Sequence, residues 1–234
     1  MPATRITETP VEVHPFDVLA TGSGDLMIHA MLCHEDNPRN DVTRATAVKT
    51  SHMGPPLGPK QLQCDAVGSA ELGEDERIKL KDYVNYHRQE TENEKLIHRR
   101  LGIRWDSTTQ YRIHPPYSPP TPDYNLWRFS CVGYVLKAYE SVRIKLLDEK
   151  PPAKTIDDLK RLYPFAAAEL DDPDKRQGLG IGEGENWPVA LVGYLLHSLA
   201  RDISLIRGPN AQPYVPNEGD EYFAIQDNPI ERTG

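Results

Sequence analysis

Residues 129–146 read Phe-Ser-Cys-Val-Gly-Tyr-Val-Leu-Lys-Ala-Tyr-Glu-Ser-Val-Arg-Ile-Lys-Leu. Counted from Val132, residues Val135, Leu136, Tyr139 and Val142 fall at offsets 3, 4, 7 and 10, a single apolar stripe along a helix. The spacing predicts a helix over 130–142 with Cys131 in its first turn. The start of a helix carries free N–H groups and the positive end of the macrodipole. A thiol placed there has a lowered pKa and donors nearby for an oxyanion. A thiolate nucleophile needs that placement, and it needs an imidazole to exchange its proton with. A free cysteine beside an amphipathic helix can equally be a small buried hydrophobe. The spacing alone fits both roles.

Outward from this helix, the composition narrows the choice. The chain has 234 residues with 27 basic and 35 acidic side chains, a net charge of −8 and a pI near 5.5. That balance argues against nucleic-acid binding and against a polybasic membrane binder. The longest apolar run, Val189–Leu196, falls short of the roughly 20 residues of a membrane span. The opening MPATRITETPVEVHPF has neither a basic start nor an apolar core, so no signal peptide is expected. Three cysteines, Cys33, Cys64 and Cys131, form neither a disulfide framework nor a zinc pattern. A reduced, cytoplasmic protein is the expectation. The 21 prolines imply much loop and coil.

Upstream, Phe16-Asp-Val-Leu-Ala reads as a short strand closed by the turn Thr21-Gly-Ser-Gly24. Asp25–Cys33 (DLMIHAMLC) is apolar without alternation and fits a strand or one to two helical turns. Thr43–His52 is rich in β-branched residues and reads as a strand, GPPLGP after it as a turn, and Leu62–Ala66 as the next strand. Residues 74–101 read as one long helix or two in sequence, with acids at the start, bases at the end and Gly102 as C-cap. Residues 107–122 are a Pro-Tyr connector. Thr155–Tyr163 is a short helix opening on a Thr-x-x-Asp cap. A helix over Trp187–Ile206, apolar around most of its circumference, and an extended tail close the chain.

The 129–146 stretch resembles the nucleophile helix of the NlpC-type papain-like cysteine amidases. In their usual order the catalytic histidine follows the cysteine on a strand, and the downstream candidate here, His197, lies in the helical run ALVGYLLHSL. The circularly permuted, YaeF/YiiX-like branch fits better. Its ordered features have counterparts in Phe16–Ala20 with Thr21-Gly-Ser-Gly, Thr50-Ser-His-Met-Gly54, Cys64-Asp-Ala66, the helix 74–101, Leu101-Gly-Ile-Arg-Trp-Asp106 and Cys131. The resemblance covers residues 14–165. It implies Cys131 as nucleophile, His52 as general base and Asp65 as the group that orients the imidazole, with His29 the fallback base. The sequence departs from the pattern at Pro55 and Pro56 soon after His52, at Val132 where serine is usual, and at Asp65 where the longer glutamate is usual.

The other candidates read as structural. His29 suits a core or helix-face histidine, Cys64 a core thiol, and His34-Glu35-Asp36 a solvated loop without a second ligand cluster. Gly178–Gly184 lacks the Lys-Ser/Thr of a phosphate loop and reads as a loop, and His114–Pro120 as polyproline-like wall or spacer. No cofactor and no metal are expected. The expected fold is α+β: a small antiparallel sheet carrying His52 and Asp65, packed against the Cys131 helix. Residues 1–165 form the hydrolase-like domain and 166–234 an added helix and tail that pack on it or mediate homo-oligomerisation. The leading function is a cysteine-dependent hydrolase of a peptide, amide or acyl thioester or ester. Relatives resembling the lecithin:retinol acyltransferases handle acyl groups. The alternative is a non-catalytic interaction or structural protein with an eroded site, suggested by the proline pair, the connector and the C-terminal extension.

Overall fold

Short apolar runs punctuated by Gly, Asp and Thr form an antiparallel sheet in the computed structural model. The model describes residues 2–51, 59–92, 110–111, 126–127, 130–148, 151–173, 176 and 186–224. In chain order the strands are β1 (Thr4–Arg5), β2 (Val11–Val13), β3 (Val18–Ser23), β4 (Leu26–Cys33), β5 (Arg39–Val42), β6 (Ala47–Ser51), β7 (Lys60–Gln63) and β8 (Ala66–Gly68). Six of them make one sheet in the order β1-β8-β3-β4-β6-β7. Every neighbouring pair in it is antiparallel. β2 and β5 pair separately, and two-residue strands β9 (Gln110–Tyr111) and β10 (Leu126–Trp127) make a second small ladder.

The sheet is buried on both faces, which explains why its central strands read as apolar without alternation. Val18, Ala20, Ala30, Leu32 and Ala66 share one core with the helices. Leu19, Met31, Cys33, Cys64 and Val67 share a second with Val13 and Val42 of the β2–β5 ribbon. The stretch 25–33, open between strand and helix by its pattern, is the central strand β4. The strand expected over Leu62–Ala66 is two: it breaks at Cys64-Asp65, where the Asp65 N–H turns to the Ala20 carbonyl at 2.8 Å. The strand expected from Thr43 starts at Ala47, because Thr46 Oγ1 accepts the Thr43 N–H at 3.0 Å and closes a turn first.

Helix α1 (Glu74–Glu92) opens on three acids; its expected continuation to Leu101 lies outside the described residues, as do the connector 112–122 and His52. Helix α2 (Cys131–Ser141) occupies the predicted span, with Ser130 as N-cap accepting the Gly133 N–H at 2.8 Å. Two tyrosines fix it: Tyr139 donates to Phe16 O at 2.9 Å, next to the start of β3, and Tyr83 of α1 donates to Tyr134 O at 3.4 Å.

Helix α3 (Ile156–Leu162) carries the anticipated cap. Thr155 Oγ1 accepts the Asp158 N–H at 3.1 Å, and Asp158 Oδ2 accepts the Thr155 N–H at 3.1 Å. The Thr155 N–H and the Thr155 hydroxyl, which also donates to Oδ2 at 2.8 Å, hold the Asp158 carboxyl below its usual range. Its contribution to stability is therefore present above about pH 4 and fades as pH falls through the lowered value. Thr155→Ala is expected to cost about 1 kcal/mol in urea unfolding, with Thr155→Ser recovering most of it. An unchanged midpoint for the alanine variant would remove the cap from the stability account.

The helix expected over Trp187–Ile206 is corrected. Asn186–Pro188 is a strand, β12, whose Trp187 pairs with Lys154 of β11 (Ala153–Thr155). Pro188 cannot continue a helix interior. After the short α4 (Ala167–Asp171), the helical part divides into α5 (Val192–Ala200) and α6 (Ile203–Ile206). The break falls at Arg201-Asp202, where Asp202 caps α6 by accepting the Ser204 N–H. Val192, Tyr194, Leu195, Leu196 and Leu199 of α5 are buried in the core that also holds α2. The tail does not trail off at once: residues 214–223 bind back onto the fold, with Tyr214 N–H on Leu146 O at 3.0 Å and Phe223 N–H on Asp25 O at 2.8 Å. No helix among the described residues is long and apolar enough to cross a membrane.

Candidate functional site

Cys131 enters α2 at its first residue because Ser130 ends the preceding chain and caps the helix. This start lies against β4. The Cys33 N–H donates to Asp17 O, toward β3. By the two-residue period of a strand, the groups at 28, 30 and 32 turn the other way. On that side, among the described residues, β6 pairs with Leu32 and Cys33, and the helix start lies beside residues 28–30. Cys131 Sγ lies 4.0 Å from the Ile28 carbonyl oxygen, and the backbone N–H groups of Ala30 and Val132 lie near enough to favour the thiolate.

Among the described residues, the imidazole at the thiol is that of His29, which is hydrogen-bonded to Cys131. Burial alone pushes the Cys131 thiol up. The hydrogen bond and charge of His29, together with the two backbone N–H groups, outweigh burial and bring the thiol below its ordinary value. Burial pulls His29 down and Lys60 opposes its protonation, yet Cys131 leaves the imidazole above its ordinary value. Both shifts favour thiolate and imidazolium side by side. Cys131 is partly exposed, whereas Cys33 and Cys64 are buried, and burial pushes each of those thiols up to about 12. Tyr163, just after α3, is buried and near enough that the charge of Cys131 adds to burial in raising its hydroxyl.

Of the three residues predicted from the sequence, Cys131 stands where the helix pattern put it. His52 lies outside the described residues, and His29, read from the sequence as a core or helix-face histidine, occupies the position beside the thiol. Asp65 sits at the break between β7 and β8. Its carboxylate accepts the Gly22 N–H at 3.0 Å and faces Arg44 Nε at 3.6 Å, while the charges that bear on the His29 ring are those of Cys131 and Lys60. Two contributors escaped residue-type reasoning altogether. The Ala30 and Val132 N–H groups belong to the backbone, and their signal would have been the strand assignment of 26–33 set beside the helix start at 131. Among the described residues, no group of three or more His, Cys, Asp or Glu is placed to hold a metal ion. Comparison of the chain with protein-family models, with curated proteins and with solved structures finds no match.

Proposed function

We propose that the protein is a cysteine-dependent hydrolase acting on an amide, thioester or ester carbonyl. One observation carries the reading: a thiol at the first residue of a helix is hydrogen-bonded to an imidazole, an arrangement that favours the thiolate. The thiolate of Cys131 attacks the carbonyl carbon, and the electron pair of the C=O bond moves to oxygen. His29, as imidazolium, gives its proton to the leaving amine, thiol or alcohol as the bond to carbon breaks. Neutral His29 then takes a proton from the water that attacks the acyl-cysteine. As the C–S bond breaks, the acid product leaves and Cys131 departs as thiolate beside imidazolium His29, which restores the starting pair. The backbone N–H of Cys131 itself, at the helix start, is the natural donor for the oxyanion. The order of motifs that resembles the permuted papain-like amidases supports the same chemistry.

The test is a thiol-directed electrophile such as iodoacetamide, at pH 7 and without denaturant. One equivalent is expected to enter, all of it on Cys131, because the other two thiols are buried and protonated far above this pH. Cys131→Ala is expected to abolish both the labelling and the hydrolysis of activated thioester or ester probes. Equal labelling of all three cysteines, or full hydrolysis by Cys131→Ala, would reject the proposal.

A further inference from the structure

The ladder between β3 and β4 carries an irregularity beside His29. Thr21 pairs with His29, but Gly22 pairs with Met27, so Ile28 has no partner across the ladder. One extra residue in one strand is a β-bulge, a device that turns side chains and backbone groups next to functional sites. The extra residue is Ile28, the one whose carbonyl lies 4.0 Å from Cys131 Sγ, and His29 follows it directly.

The bulge makes two demands on β3. The strands close up so tightly at Gly22 that a Cβ there would stand 2.0 Å from the Leu26 carbonyl oxygen and 2.7 Å from Met27 Cα, so only glycine fits. The Gly22 N–H also needs an acceptor, and it finds Asp65 Oδ2 at 3.0 Å. Asp65 is held on both sides of its own backbone: its N–H donates to Ala20 O at 2.8 Å and its carbonyl accepts the Ile6 N–H at 2.9 Å. It follows just beyond the Ala20–Ala66 pair, on the far side of β3 from β4. Two strand spacings, roughly 10 Å, therefore separate its backbone from that of His29.

We infer that Asp65 is a positioning residue for the Cys131–His29 pair, acting as the acceptor that holds the Gly22 bulge and not as a partner of the imidazole. The inference rests on reading that pair as nucleophile and base. What Asp65 supplies is an oxygen at a fixed point. Its ion pair with Arg44, a side chain 70% exposed, is a screened surface contact and adds little.

The experiment compares Asp65→Ala, Asp65→Asn and His29→Ala by the rate of iodoacetamide alkylation at Cys131 between about pH 5 and 9.5. Asp65→Ala is expected to lower the rate at pH 7 by about tenfold, moving its rise toward the ordinary thiol value of about 8.5. Asp65→Asn is expected to restore the wild-type profile, since an amide oxygen accepts the same N–H without a charge. Equal loss in both Asp65 variants would mean that the charge matters and would overturn the inference, as would a wild-type profile for Asp65→Ala. A His29→Ala profile identical to wild type would instead reject the nucleophile–base reading itself. If Asp65→Ala does not fold, hydrogen exchange at the Gly22 amide decides. Slow exchange in both wild type and Asp65→Asn supports the bulge acceptor, and fast exchange in either overturns it.

Discussion

His29→Ala is expected to cut the alkylation rate of Cys131 at pH 7 by about tenfold or more and to shift the rate's rise upward in pH. The sign follows from the groups around the sulfur. Burial opposes the thiolate, and His29 contributes both a hydrogen bond and a charge against it. Without the imidazole, the Ala30 and Val132 N–H groups are left alone to oppose burial. A thiol returned to about 8.5 is only about 3% ionised at pH 7. The fall in rate is smaller than the fall in thiolate, because a more basic thiolate is a better nucleophile. Since thiol and imidazole titrate as a pair, the wild-type profile reports macroscopic values belonging to both. His52→Ala is the matched control. A shift equal to that of His29→Ala would return the base to His52, and an unchanged profile in His29→Ala would remove it from the site.

Lys60 supplies a graded check on the same pair. Its charge opposes the protonation of His29, so Lys60→Met should extend the imidazolium form to higher pH while leaving the acidic side of the alkylation profile nearly in place. Lys60→Met thus leaves in place the rise that His29→Ala moves, which separates a charge effect from a general loosening of the site.

The parts of the fold set by local chemistry were legible before the structure. The stripe from Val132 to Val142 placed α2, and Thr155 with Asp158 marked the start of α3, because caps and helical faces are decided within a few residues. Short strands joined by turns pointed to an antiparallel sheet, and its packing against the Cys131 helix was what the resemblance to the permuted papain-like amidases implied. The partner of Cys131 was a different kind of question. His29 sits in LMIHAMLC, a strand buried on both faces, where period-two alternation is lost and a histidine reads as filler. Its meeting with the thiol depends on a bulge at Ile28 and on a helix start that is distant in sequence. Neither has a residue-type signature. The apolar run 189–196 misled in the opposite way: its all-round hydrophobicity marked burial correctly, but Pro188 and Asp202 bounded a shorter helix than the run suggested.

The same C-terminal region holds the largest stability effect expected of a single side chain. Lys154 Nζ lies 3.3 Å from Glu221 Oε1, with side chains 8% and 6% exposed. Glu221 also accepts the Gly219 N–H at 3.0 Å, and Lys154 stands over the Tyr194 ring at 6.0 Å. Beside this pair, the backbone of Asp220 and Glu221 crosses α5 at Gly193 so closely that a Cβ there would be 2.4 Å from both carbonyl oxygens. His197 Nε2 meets Tyr222 O at 2.8 Å. Removing one partner of a buried ion pair leaves the other charge uncompensated, at a cost of about 3–5 kcal/mol, while replacing both with apolar groups of similar volume is often neutral. Lys154→Met is therefore expected to lower the melting temperature by about 10 °C in a chain of this size, and the double variant Lys154→Met with Glu221→Leu to regain most of that loss. The segment also touches the site's support, since Phe223 N–H bonds to Asp25 O and Tyr222 bridges to Leu26, three residues before His29. Loosening it in Lys154→Met should accordingly slow alkylation of Cys131 at temperatures well below the melt, and the double variant should recover that rate too. A melting temperature for Lys154→Met within about 2 °C of wild type would show that the charges are not buried as the geometry places them. A lowered melt with an unaltered alkylation rate would confine the segment's role to stability and uncouple it from the hairpin that carries His29.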